Sequence, residues 1–310
     1  MRVIIGGIIF VLCWLVFPIQ GQSPVSYVRP AHVVPSTVRH VGNHDHLPVI
    51  IEDELILLPG QLGNVRGYFV LDTGSPSLIV NSRLINGSGA RISGQSVDGG
   101  AVMLREVSIP ELTFRNRTHR DVQALALDLS HLDAYTGKNI LGLLGRDWLD
   151  VQPFLFNPHQ KHVLFLDELS QKEKLAETVT TFSNLEHIPV ISLQFGGIHL
   201  KFGIDSGSSR SLFHGESLRK LSGVTKTVVD QIDLQGLNQE VHRTEIVAIS
   251  DIRISPEADP IMADFVVADM SSLQKLDGAD LDGLIGLDFL KRYIFSVDYQ
   301  KGKMYWWGLK

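Results

Sequence analysis

Three blocks of this sequence recur in the same order, and that recurrence limits the chain to a fold built from two equivalent units. His46-Leu47-Pro48-Val49-Ile50 returns as His187-Ile188-Pro189-Val190-Ile191. Tyr68-Phe69-Val70-Leu71-Asp72-Thr73-Gly74-Ser75 returns as Lys201-Phe202-Gly203-Ile204-Asp205-Ser206-Gly207-Ser208. Leu143-Leu144-Gly145-Arg146-Asp147-Trp148-Leu149 returns as Leu284-Ile285-Gly286-Leu287-Asp288-Phe289-Leu290, and the halves then run without a gap to Phe165-Leu166 against Trp306-Trp307. The spacing is shorter for the middle block than for the outer two. Extra residues are therefore expected in the first half around positions 58–65, and in the second half after its Asp.

The units read as residues 46–168 and 186–310. Between them, residues 169–185 are rich in Lys, Glu, Gln, Ser and Thr, as a linker or exposed helix would be. Short apolar or alternating runs at 67–71, 77–80, 162–166, 200–204 and 303–307 predict β-strands. Helix is expected only in short pieces after Gly145 and Gly286, where Asp147 and Asp288 are placed to cap a first turn. The expectation is an all-β, bilobal chain with a cleft between its lobes.

A chain of 310 residues with 44% hydrophobic content can bury two cores. Its net charge of −6, with basic clusters that are short and interrupted, argues against a nucleic-acid partner. Met1 and Arg2 lead into an apolar run at 3–17, followed by Pro18 and polar residues, which is the layout of a cleavable signal peptide over 1–21 and of export to a periplasm or the exterior. An uncleaved membrane anchor at 3–19 is the competing reading. Residues 22–45, with Pro24, Pro30 and Pro35, read as an extended or disordered leader. The single cysteine, Cys13, lies inside the apolar run, so the mature chain has no disulfide framework, which suits a bacterial envelope better than an animal secretory pathway.

Hydrolysis of a peptide bond without a metal or a covalent nucleophile needs one carboxylate to take a proton from water and one carboxylic acid to polarise the carbonyl. Two carboxyls about 3 Å apart supply both, because like charges that close cannot both ionise. One Asp in each duplicated half produces such a pair when a pseudo-twofold axis brings equivalent positions face to face. Asp72 and Asp205 are the candidates. Gly74 and Gly207 permit a tight turn whose amides can point at the carboxylates. Thr73 and Ser206 carry hydroxyls able to bond across the turn, and Ser75 and Ser208 can donate to the outer carboxylate oxygens.

With these residues in view, the chain resembles the pepsin-like or tandem retropepsin-like aspartic proteases. The resemblance rests on Val70-Leu71-Asp72-Thr73-Gly74 and Gly203-Ile204-Asp205-Ser206-Gly207, and on the apolar pair before glycine in Leu143-Leu144-Gly145 and Leu284-Ile285-Gly286. It covers residues 46–310. It implies a pepsin-like acid-protease fold of two retropepsin-like lobes, and an aspartic endopeptidase that needs no cofactor or metal, takes a peptide or protein substrate, and is active as a monomer. The cleft cover expected from the family is a hairpin at 92–103, with Gly94, Gly99 and Gly100 as candidate substrate contacts and none of the tyrosine that pepsins carry.

Competing readings are weaker. Asp277, Asp280 and Asp282 miss the spacing of a calcium loop. His40, His44 and His46 lack a metal-site partner motif, and no Gly-x-Ser-x-Gly elbow is present. Trp306 and Trp307 read as core of a terminal strand. A peptide-binding or scaffold protein of the same fold, without turnover, is the alternative of a different class.

Overall fold

The computed structural model describes residues 8–10, 45–52, 55–86, 89–95, 101–115, 117–166, 175–185, 187–235, 241–271 and 281–308. Most of the expected signal peptide and leader lies outside these residues. So do His40, His44, Gly99, Gly100, Asp277 and Asp280. Ile8–Phe10 is described, and pairs in parallel with Asp233, Leu234 and Gln235. Among the described residues no helix is long and apolar enough to cross a membrane.

The chain forms two lobes with one strand order. In the first lobe the sheet runs Ile50–Glu52, Leu55–Leu62, Val65–Leu71, Ile140–Leu144, Ile79–Asn81, Arg117–Leu127, Ala101–Phe114, Arg91–Gln95. The second lobe repeats it as Ser183–Leu185, Ile188–Phe195, Ile198–Ile204, Gly283–Ile285, Leu212–His214, Ile261–Ala268, Val241–Arg253, Lys226–Gln235. The strand that ends at each Asp is buried on its last three residues. Beside it lies, in parallel, the strand that carries the apolar pair. A run that is apolar on both faces suits that central position.

A third, six-stranded sheet joins the lobes. It runs Thr178–Thr181, Lys303–Trp307, Ile294–Asp298, Phe154–Asn157, His162–Phe165, Asp45–Pro48, three strands from each half. At its centre Phe154 pairs with Val297, Leu155 with Ser296 and Phe156 with Phe295. Leu155 and Ser296 are equivalent positions of the two halves, so the pseudo-twofold axis passes through that pair. Ser296 Oγ donates to the Phe154 carbonyl at 2.8 Å, which satisfies the hydroxyl inside an apolar seam. Phe154, Phe156 and Trp306 pack around Phe295, with ring centroids 5.4–6.4 Å apart.

The strand register corrects the repeat alignment. Leu57 pairs with Val70, and Val190 pairs with Gly203, so Leu57 and Val190 are equivalent. Asp45 pairs with Phe165, and Thr178 with Trp306, which makes Asp45 equivalent to Thr178. The spacing is thus constant from the first strand to Asn81 and His214, and the recurrence of His46–Ile50 at His187–Ile191 is not structural equivalence. Both segments are apolar strand entries with a proline, and such segments look alike wherever they fall. The extra residues of the second half enter after His214. There the helix Gly215–Lys220 and the strand Lys226–Gln235 replace the 3-10 turn Ser82–Leu84 and the shorter strand Arg91–Gln95.

Two further expectations change. The region 169–185 is not wholly linker: Thr178–Thr181 is an edge strand of the six-stranded sheet, and Ser183–Leu185 pairs with Ile188, Pro189 and Val190. Threonines and Val179 alternating on an edge are good strand formers despite the polar composition. Helices also form at Ser130–Thr136 and Gly215–Lys220, beyond those at Arg146–Leu149 and Leu287–Leu290. The first is announced by Asp128, whose Oδ1 accepts from Ser130 N–H at 2.9 Å, and ends at Gly137 with φ of 63°.

Trp306 is fully buried and donates its indole N–H to Thr180 Oγ1 at 2.9 Å, whereas Trp307 is partly exposed. Trp306→Ala is expected to cost about 3–5 kcal/mol in chemical denaturation, and Trp307→Ala well under half of that.

Candidate active site

Each lobe ends its central strand in a tight turn, and the two turns meet. Asp72 N–H donates to the Leu144 carbonyl at 3.1 Å and Asp205 N–H to the Ile285 carbonyl at 3.0 Å. The apolar-apolar-glycine segment therefore holds each Asp from behind. It passes very close: a Cβ on Gly145 would lie 2.3 Å from the Ser77 carbonyl oxygen, and one on Gly286 would lie 2.5 Å from that of Arg210. Only glycine lets the two backbones approach in this way.

Within the turns, Gly74 N–H donates to Asp72 Oδ1 at 2.9 Å. Gly207 and Ser208 N–H donate to Asp205 Oδ1 at 3.0 and 3.1 Å. The second residue of each triplet bonds across the lobes. Thr73 Oγ1 donates to the Ile204 carbonyl at 2.9 Å and accepts from Ser206 N–H at 2.9 Å. Ser206 Oγ donates to the Leu71 carbonyl at 2.8 Å and accepts from Thr73 N–H at 3.1 Å. Four buried hydrogen bonds thus cross the pseudo-twofold axis beneath the carboxyls.

The carboxyls themselves come together. Asp72 and Asp205 are fully buried, and their side chains are within hydrogen-bonding reach of each other. Each also packs over the other lobe's glycine: a Cβ on Gly207 would lie 2.4 Å from Asp72 Cγ, and one on Gly74 would lie 2.6 Å from Asp205 Cγ. Burial, and then the negative charge of Asp72, push the Asp205 carboxyl well above the usual carboxylate range, against the opposing pull of the Gly207 and Ser208 amides. A pair of this kind holds one proton between two groups over a wide pH span.

Ser75 and Ser208 do not donate their hydroxyls to the carboxylates. Ser75 Oγ donates to the Ser77 carbonyl at 3.0 Å, and Ser208 Oγ to that of Arg210 at 2.7 Å. Each closes a small loop that shapes the turn. The N-cap residues are Gly145 and Gly286 rather than Asp147 and Asp288, although Asp288 Oδ1 does accept from the first-turn N–H of Phe289 at 2.8 Å. Asp147 Oδ2 accepts from Leu78 N–H at 3.3 Å, and Asp288 Oδ1 accepts from Ser211 N–H and Oγ at 2.9 and 2.7 Å, which ties each helix to the strand leaving the turn. Gly94 sits in a hairpin, paired with Val102, and this hairpin exposes Met103. His46 lies in the strand Asp45–Pro48, opposite Leu164. Asp282 Oδ2 accepts from Lys201 N–H at 2.8 Å, at the start of the interior strand Gly283–Ile285. No cluster of three His, Cys, Asp or Glu disposed to hold a metal occurs among the described residues.

Three residues beside the turns carry no local sequence signal of a role in the site. His187 Nε2 bonds the Gly74 carbonyl at 2.8 Å from the second lobe. Arg146 of the first lobe donates to the His187 carbonyl at 3.2 Å and lies over the Tyr299 ring at 4.9 Å. His187 recurs in sequence with His46, but by strand register the equivalent position is that of Glu54, so the recurrence says nothing of its role. Nothing in local sequence marks Tyr299.

Two duplicated sheets, two Asp-Thr/Ser-Gly turns bonded across a pseudo-twofold axis, and a strand threaded behind each turn define the bilobal acid-protease class. The sequence model of the family described as aspartyl protease matches residues 58–148 and 191–289, once in each lobe and together more than half of the chain. The chain belongs to that family. No curated protein matches it.

Asp147 gives a stability test independent of activity. Burial raises its carboxyl to about 7 from an ordinary 3.8. The folded state then holds this proton more tightly than the unfolded state, so the stability it contributes is present below pH 4 and is lost as pH rises through 7. Asp147→Asn keeps an acceptor for Leu78 N–H and removes the titration. The difference in unfolding free energy between variant and wild type should shift in the variant's favour by about 4 kcal/mol from pH 4 to pH 8.

Proposed function

We propose that this protein is an aspartic endopeptidase in which Asp72 and Asp205 share one proton and activate a water molecule to attack a peptide carbonyl. The observation that carries the reading is the cross-lobe pair itself: two fully buried carboxyls, each packed over the other's turn glycine, with Asp205 raised by burial and by Asp72. A fold indifferent to chemistry would not bury two acids together, since each desolvated like charge costs several kcal/mol unless a proton is shared.

In the singly protonated pair, the ionised carboxyl takes a proton from water as the oxygen attacks. The protonated carboxyl donates to the substrate carbonyl oxygen, so the tetrahedral gem-diol forms without free hydroxide. Collapse reverses the roles: the protonated carboxyl gives its proton to the amine leaving group, the ionised one takes a proton from a gem-diol hydroxyl, the C–N bond breaks, and the pair again holds one proton. Turn amides aimed at the inner oxygens are fixed before substrate arrives, so little reorganisation accompanies the charge movement. Membership of the aspartyl protease family supports hydrolysis of peptide bonds as the chemistry. The apolar amino-terminal run supports an exported location.

Asp72→Asn and Asp205→Asn should each lower kcat on a peptide library by about a thousandfold or more, while far-UV circular dichroism stays unchanged. Retained turnover in either variant would exclude the dyad. Binding of a statine peptide by a wild type that cleaves nothing would favour the peptide-binding module.

The pH profile follows from the same pair. A raised Asp205 keeps the shared proton to higher pH than a lone carboxyl would, and activity falls once that proton is lost. kcat/KM should therefore be greatest in mildly acid solution and decline towards alkaline pH; a plateau extending to strongly alkaline pH would argue for another mechanism.

A further inference from the structure

Resting on the reading of Asp72 as half of a catalytic pair, we propose that His187 is a positioning residue of the first-lobe turn, acting from the second lobe by donating its Nε2–H to the carbonyl of Gly74. The turn at Gly74 is then held on three sides. Its N–H is committed to Asp72 Oδ1 at 2.9 Å, its α-carbon lies against the Asp205 carboxyl, and its carbonyl takes the imidazole at 2.8 Å. The peptide plane that leads from Gly74 to Ser75 is gripped at both ends, by the imidazole on its carbonyl and by the Ser75 N–H, which donates to the Asp72 carbonyl at 3.3 Å.

The histidine is itself well anchored. Its own carbonyl accepts from Arg146 Nη1 at 3.2 Å, so backbone and side chain of one second-lobe residue both bond the first lobe. The Arg146 guanidinium lies 4.9 Å from the centre of the Tyr299 ring and 3.8 Å from Asp150, which fixes its direction. His187 directly precedes the strand Ile188–Phe195. That strand pairs through Val190 and Gly203 with Ile198–Ile204, which ends beside Asp205. The imidazole therefore references the Asp72 turn to the strand pair that carries Asp205.

The chemistry of the contact sets the tautomer. A carbonyl only accepts, so Nε2 carries the proton whether the ring is neutral or charged. Burial lowers the ring to about 4, so it is neutral through mildly acid solution, and the bond survives protonation below that. The residue types of the anchor are not repeated in the other half. The position equivalent to His187 in the first lobe is Glu54, and Leu287 stands where the first lobe has Arg146. Duplication alone would not have produced this contact.

The test compares His187→Leu, which removes the donor, with His187→Gln, whose amide can still donate. Misplacement of a reacting group by about 1 Å costs on the order of a hundredfold in rate. His187→Leu should lower kcat by about 10- to 100-fold per folded molecule with little change in KM, and His187→Gln should recover most of the loss. A residue that served stability alone would lower Tm in both variants and leave kcat per folded molecule at the wild-type value. Equal impairment of Leu and Gln, or kcat within about twofold of wild type in Leu, would overturn the proposal. Nitrogen-15 spectra of the full chain read the contact without turnover: an Nε2–H tautomer titrating near 4 supports it, and an Nδ1–H tautomer overturns it. A wild type that cleaves nothing while showing the Nε2–H tautomer would refute the peptidase reading and leave the anchor standing.

Discussion

Two buried carboxyls repel each other once both are ionised, and the rest of this molecule is arranged around keeping Asp72 and Asp205 together. The crossed bonds of Thr73 and Ser206 are the closest restraint. Each hydroxyl donates to a carbonyl of the opposite lobe and accepts an amide from it, so separating the lobes would break four buried hydrogen bonds that join six polar groups. The glycines do the complementary work: their missing side chains are the space in which the opposing carboxyls sit. The six-stranded sheet carries the same symmetry at larger scale, through the pairing of Leu155 with Ser296.

The twofold relation is not complete, and its departures cluster beside the site. Asp288 is satisfied by the amide and hydroxyl of Ser211, whereas the equivalent of Ser211 is Leu78, which offers Asp147 an amide alone. Burial raises the Asp147 carboxyl against the opposing pull of the Leu78 and Trp148 amides. Arg146, His187 and Tyr299 form a polar contact between the lobes, and in the second lobe Leu287 stands where the first has Arg146. The second lobe adds a helix at Gly215–Lys220 and a longer hairpin. A duplicated chain can diverge in this way because the restraints that hold the pair are confined to a few residues of each turn.

Much of the fold was legible in the chain. The Asp-Thr/Ser-Gly turns, the apolar pairs before glycine and the strand at 303–307 all stand out because local chemistry, tight turns and buried strands, demands particular residue types. The alignment of the first strands was misread because apolar strand entries resemble one another, and only hydrogen-bond register separates His187 from His46. The strand at Thr178–Thr181 was hidden for a related reason. An edge strand against Lys303–Trp307 needs no apolar alternation of its own, since its partner supplies the buried face.

The sequence by itself determined that this protein has two equivalent halves, each contributing one aspartate in a glycine turn behind a buried strand. That follows from residue type, because few side chains fit such a turn. What only the tertiary structure decided is who touches whom. Ser75 and Ser208 close loops on backbone carbonyls, Asp147 and Asp288 tie helix to strand, and His187 reaches Gly74 from the far lobe. Hydrogen bonds form between groups that meet in space: Asp147 reaches Leu78 and Asp288 reaches Ser211 only within a folded lobe, and His187 reaches Gly74, 113 positions away, only once both lobes have closed on each other.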